Sequence, residues 1–109
     1  MTDTKQVVVE MAPFQLKSGA TEDQLQVASA QLQEDFLSQQ KGYLHRDLLK
    51  KSDREFIDIV HWASQADAEA AMKAAMQSPV CAGYFQLMEE PFEDSDGGVS
   101  HFSLFSSYR

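Results

Sequence analysis

The sequence predicts an α+β fold with the element order β-α-β-β-α-β and one extra short helix before the last strand. Three observations carry this expectation. Residues 56–76, FIDIVHWASQADAEAAMKAAM, read as a strand that runs straight into a helix. A valine-rich run near the N-terminus is followed by Thr21 and Gln24 at the spacing of a helix capping box. Two further strand-like runs are separated only by Lys50 to Asp53, a connection short enough for an antiparallel hairpin.

Taken in order, the first strand covers residues 6–16, because Val7, Val8 and Val9 favour extended backbone and Phe14 and Leu16 continue the alternation. Pro13 has no N–H for a ladder, so an edge, a bulge or a fraying end is expected there. Helix one follows the capping box to about Gln39, with Leu25, Ala28, Leu32, Phe36 and Leu37 as its buried stripe and Gln31, Gln33 and Glu34 facing water. Gly42 is placed to end it. Strand two runs from Tyr43 to Leu49 and strand three from Arg54 to Trp62. Ser64 and Asp67 cap helix two, whose stripe is Ala68, Ala71, Met72, Ala75 and Met76. Pro79 stops that helix and opens a short one over residues 80–88. The last strand spans residues 99–108.

This order is the ferredoxin-like arrangement. On strand three, Phe56, Asp58, Val60 and Trp62 share one face and Ile57, Ile59 and His61 the other. Neither face is purely polar, so the sheet is expected to be covered on both sides. A chain of 109 residues makes one domain, residues 1–109, with one layer of helices, and a second subunit is the simplest cover for the remaining sheet face.

The net charge of −8 argues against nucleic acid and against an anionic membrane surface. Five acids fall within the eight residues Glu89 to Asp96, which read as a solvated loop. One cysteine, Cys81, excludes an intramolecular disulfide and a cysteine-held iron–sulfur cluster, and a buried inert thiol is expected. No phosphate-cradling glycine motif and no tight metal triad occurs, so no cofactor or metal site is expected. The N-terminus lacks a signal-peptide pattern and no apolar run reaches membrane-spanning length, so a soluble cytoplasmic protein is expected.

Strand three ending in Trp62, then Ala63-Ser64, an alanine-rich helix and the Ser78-Pro79 step resemble the antibiotic biosynthesis monooxygenase family of the dimeric α/β-barrel superfamily. The resemblance spans nearly the whole chain. It implies a homodimer closed through sheet faces, with a ligand cavity between each sheet and its own helices. It also implies a chemistry drawn from a diverse set: cofactor-independent oxygenation of aromatic phenols, haem breakdown, or turnover of small signal molecules. The aromatic oxygenases carry an Asn four residues before the tryptophan, where this chain has Asp58. The haem-degrading members carry a ligating His where this chain has Met72, and an Asn on the first strand, whereas this chain contains no Asn. Haem breakdown in its known form is therefore not expected.

Two functions follow as expectations. One is a cofactor-independent monooxygenase, or a related small enzyme, acting on a hydrophobic, phenolic compound. Asp58 or His45 would remove the proton, and Trp62, Met72, Tyr84 and His101 would contact the substrate. The other is a non-catalytic dimer that holds a small apolar ligand or serves only structure. Tyr43, His45 and Asp47 share a face by alternation, and His45 with Asp47 would orient an imidazole base if that face is also the face of Asp58. Alternation leaves that face open, as it does for His101. His61 is expected to point away from Asp58, and Glu10 away from Val9 and Met11.

Overall fold

The computed structural model describes residues 7–89 and 98–109. Its elements are β1 (Val8–Gln15), α1 (Glu22–Asp35), β2 (Tyr43–Lys50), β3 (Glu55–Trp62), α2 (Gln65–Ala75), α3 (Pro79–Phe85) and β4 (Ser100–Ser103), with a single 3-10 turn at Leu37–Gln39. The four strands form one antiparallel sheet in the order β2-β3-β1-β4, which is the ferredoxin-like topology. The acidic stretch expected as a loop lies, apart from Glu89, outside the described residues.

Local chemistry explains where each helix starts. Thr21 Oγ1 accepts from Gln24 N and Gln24 Oε1 accepts from Thr21 N, completing the capping box. Ser64 and Ser78 Oγ accept from the backbone N–H three residues on, and Pro79 opens α3 where its missing N–H has no consequence. Helix one ends earlier than expected: α1 stops at Asp35, and Leu37–Gln39 tighten into the 3-10 turn that buries Leu37. Gly42 then sits at φ +83°, a conformation open to glycine.

The core lies between one sheet face and the helices. Phe14, Leu16, Phe56, Val60 and Trp62 from the strands meet Leu25, Leu32, Phe36, Ala68, Ala71, Cys81 and Tyr84. Phe14 stacks on Phe56 and takes Tyr84 edge-on. Three expectations need correction. Gln33 does not simply face water: its amide donates to the Tyr43 hydroxyl at 2.8 Å. On α2 only Ala68 and Ala71 are buried, while Met72 and Met76 are 41% and 77% exposed, because the small alanines bring the helix in and leave the longer side chains at its margin. β4 is four residues long, and Phe105 and Tyr108 beyond it are exposed.

Pro13 is locally at an edge. β4 covers β1 only from Val8 to Met11, and residues 87–89 cover Gln15 to Lys17, so Pro13 falls in the gap between them. The far face of the sheet carries Val9, Met11, Ile57, Ile59 and His61 half-buried, with Leu49 and Phe102 exposed. No helix of the described residues is long and apolar enough to cross a membrane.

Candidate functional site

A cavity of about 1040 Å³ opens between the sheet and the helices. Its walls are mostly apolar: Ala12, Phe14, Val60 and Trp62 from the sheet, Leu32 from α1, Ala71, Met72 and Ala75 from α2, and Cys81 and Tyr84 from α3. Lys17, Ser18, Gln86 and Glu89 from the loops also line it; its other polar groups come from three strands and α3, and strand pairing sets those on the strands side by side. Glu10 pairs with Val60 and with His101, and Val8 with Trp62, so Glu10, His101 and Trp62 share the helix-facing side. Arg46 pairs with Val60 and so shares the face of Asp58.

Asp58 is the hub of one network. Arg46 Nε donates to Oδ1 at 2.9 Å and the Tyr84 hydroxyl donates to Oδ2 at 2.6 Å. Arg46 Nη2 also donates to the Tyr84 oxygen at 3.0 Å, and its Nη1 reaches the Ser29 carbonyl and Gln33 Oε1. The Arg46 and Asp58 side chains are only 5% and 11% exposed, so this is a buried ion pair whose polar atoms are engaged. Burial, the largest single influence, would lower the Arg46 pKa, but the charge and hydrogen bonding of Asp58 and Tyr84 together outweigh it and the guanidinium is held above its ordinary value. Burial, reinforced by the Asp58 charge, pushes the Tyr84 phenol far above the usual tyrosine range, which keeps it a donor.

Glu10 centres a second group. Trp62 Nε1 donates to Glu10 Oε1 at 3.1 Å, and His101 Nε2 lies 3.6 Å from the same oxygen. Burial pushes the Glu10 pKa up, and the Asp58 charge adds to the push, while His101 and the Trp62 N–H oppose it without cancelling it. His101 Nε2 is buried and makes no hydrogen bond among the described residues. Cys81 is buried as expected, and burial raises its pKa, so it is a poor nucleophile.

Asp58, Trp62, Met72 and Tyr84 therefore meet at the cavity, and His101 stands beside it next to Glu10. His45 does not. A register shift between Tyr43 and His45 breaks the alternation, so Tyr43 stands against Trp62 while His45 pairs with His61 on the far face. There His45 and Asp47 do form the anticipated pair at 3.0 Å, but both are more than half exposed and separated from Asp58 by the sheet. Met72 lines the cavity from the margin of α2. Sequence reasoning missed Arg46 and the cavity role of Glu10. A charged residue inside each of two strands was the available signal, since a carboxylate among valines needs a partner if it is buried.

The sequence model described as "Antibiotic biosynthesis monooxygenase" matches residues 7–87. Among solved structures, SnoaB, a cofactor-independent oxygenase from Streptomyces nogalater, superposes with a TM-score of 0.74 at 14% identity, over 94% of this chain and 96% of that one. The NE2512 protein of unknown function from Nitrosomonas europaea superposes with a TM-score of 0.69 at 15% identity, over 98% and 97% of the two chains. Among curated proteins, none matches the sequence.

Proposed function

This chain belongs to the antibiotic biosynthesis monooxygenase family, and from that premise we propose that it is a cofactor-independent monooxygenase acting on a hydrophobic phenol or its keto tautomer. The observation that carries the reading is the cavity of about 1040 Å³, apolar over most of its wall and edged by carboxylate, guanidinium, phenol and indole groups. An apolar pocket with a few convergent polar groups suits a flat aromatic ligand. The likeness to a cofactor-independent oxygenase supports the same choice.

In this reading the substrate supplies its own electrons. Removal of one proton makes an electron-rich anion, which adds to dioxygen at carbon and takes a proton back on the peroxide. The O–O bond then breaks as the second hydrogen leaves that carbon, giving a carbonyl and one water. One oxygen atom enters the product and the other is reduced. The protein binds the aromatic body between Trp62 and the α2 side chains and excludes water from the anion. Asp58 takes a positioning part, because both its oxygens already accept from Arg46 and Tyr84.

A homodimer and a cytoplasmic setting belong to the same proposal. The half-buried Val9, Met11, Ile57 and Ile59 on the far sheet face support the first, and the single cysteine is in keeping with the second. Sedimentation at micromolar concentration tests the dimer, and a stable monomer overturns it.

Oxygen uptake with a panel of bicyclic and tricyclic phenols, using isotopically labelled dioxygen, tests the reaction. The expected result is one labelled atom in the product and one in water. Saturable binding of these phenols with no oxygen uptake above the uncatalysed rate would overturn the oxygenase and leave the second reading, a ligand-binding dimer. The engagement of both Asp58 oxygens by Arg46 and Tyr84 is the observation in favour of that second reading.

A further inference from the structure

Three carboxylates line the cavity: Glu89 is exposed on a loop, and of the two set in the sheet only Glu10 keeps an oxygen to which no described residue donates. Asp58 already receives one donor on each oxygen, from Arg46 and Tyr84. Glu10 receives the Trp62 indole N–H on Oε1, and no described residue hydrogen-bonds to its Oε2. Its side chain is 18% exposed and lines the cavity. The Trp62 bond fixes its orientation, and the neighbouring His101 is a cation when protonated. A carboxylate held in place, poorly solvated and open to the cavity on one oxygen has the makings of a general base.

We propose that Glu10 is the proton-accepting catalytic residue of this cavity, taking the acidic hydrogen of a phenolic or enolic ligand onto its free oxygen. The inference deepens the oxygenase reading and rests on it for the ligand class. In the step, the ligand O–H bond breaks, its electron pair stays on the ligand, and a new O–H bond forms on Glu10. Trp62 and His101 are positioning residues: the first orients the carboxylate, the second biases it toward ionisation. The groups that bear on Glu10 come from every strand and from α3: His101 on β4, Asp58 on β3, Arg46 on β2 through Asp58, and Tyr84. Among the described residues, the cavity-lining side chains of α1 and α2 are not titratable.

The test uses para-nitrophenol, whose phenolate absorbs at longer wavelength than the phenol. At a pH below the free ligand's own ionisation, ligand bound to the wild-type protein should show the phenolate band, because its proton has passed to Glu10. Ligand bound to Glu10→Gln should show only the neutral band. Glu10→Asp, with its carboxylate withdrawn by one methylene, should show a weaker phenolate band. Binding and folding are followed through the emission of Trp62, the only tryptophan. A neutral ligand in the wild-type cavity, a phenolate band that survives in Glu10→Gln, or no saturable binding overturns the proposal. A neutral ligand in the wild-type cavity overturns it even if a variant fails to fold, and where Glu10→Gln does not fold, a band in Glu10→Asp as strong as in the wild type overturns it instead. Oxygen uptake plays no part in this readout. An inactive protein that nonetheless ionises the probe refutes the oxygenase alone, and an active one that leaves it neutral refutes only the role of Glu10.

Discussion

The Tyr84 hydroxyl donates to Asp58 Oδ2 at 2.6 Å, tying α3 to β3 across 26 residues of sequence. The bond is buried, and Arg46 closes it into a triangle by donating to both partners. Tyr84→Phe keeps the ring in the core but leaves one carboxylate oxygen and one guanidinium N–H without a partner. The expected cost is about 1–3 kcal/mol, the usual penalty for an unmet buried polar group, and urea unfolding reads it. Because Tyr84 titrates far above the usual range, its phenol stays protonated while the protein is folded. Alkaline absorbance titration of the folded wild type and of Tyr84→Phe should therefore show the same amplitude.

Arg46 and Asp58 form an ion pair that has little water to fall back on. Asp58→Ala strands a buried guanidinium, and a loss of about 3–5 kcal/mol is expected. Replacing both, Arg46→Met with Asp58→Leu, removes the charges together and should recover most of that stability. A double-mutant cycle by chemical denaturation checks it. A cycle with no coupling between the two positions would show that the pair does not hold the cavity wall.

How far these features were legible follows from sequence distance. The capping box at Thr21 and Gln24, the alternation of Phe56, Asp58, Val60 and Trp62, and the helix stop at Pro79 are written in neighbours a few residues apart, and they were read directly. The side of the sheet that receives His45 depends on a bulge, and a slip of one residue transfers every following side chain to the other face. Glu10 and Trp62 are 52 residues apart and meet only through the β1–β3 register. Arg46 meets Asp58 only through the β2–β3 register beyond the bulge, and nothing in its sequence neighbours singles it out.

Glu10 also predicts a pH dependence of stability. Its folded pKa is raised, chiefly by burial, so between the unfolded and folded values the native state binds more protons than the unfolded one. The associated stability is complete below the ordinary carboxylate pKa and is lost as pH rises through the raised folded value. Glu10→Gln cannot ionise and should escape that loss. Thermal melts from acid to neutral pH should show the variant gaining on the wild type across this window and holding a constant advantage above it. A gap that is flat with pH would mean that Glu10 titrates as an ordinary exposed carboxylate.

Gly42 makes the last prediction, because two separate physical reasons converge on it. Its φ of +83° is a left-handed conformation that costs an L-residue about 1–2 kcal/mol. A Cβ there would also stand 2.2 Å from Asp67 Oδ2, in the first turn of α2. The Gly42 carbonyl meanwhile accepts from Ala63 N at 2.8 Å, so this backbone joins the entry of β2 to the end of β3, beside the Ser64 cap. Gly42→Ala is expected to destabilise the fold by more than the conformational cost alone. The Asp67 Cβ itself would be 2.6 Å away, so only Asp67→Gly removes every clashing atom, and combining it with Gly42→Ala should relieve the steric part and leave the conformational part. Urea unfolding of the wild type, the two single variants and the double variant separates them: a double variant less destabilised than the sum of the singles assigns the excess to Asp67. Additive losses would assign the whole loss at Gly42 to backbone strain.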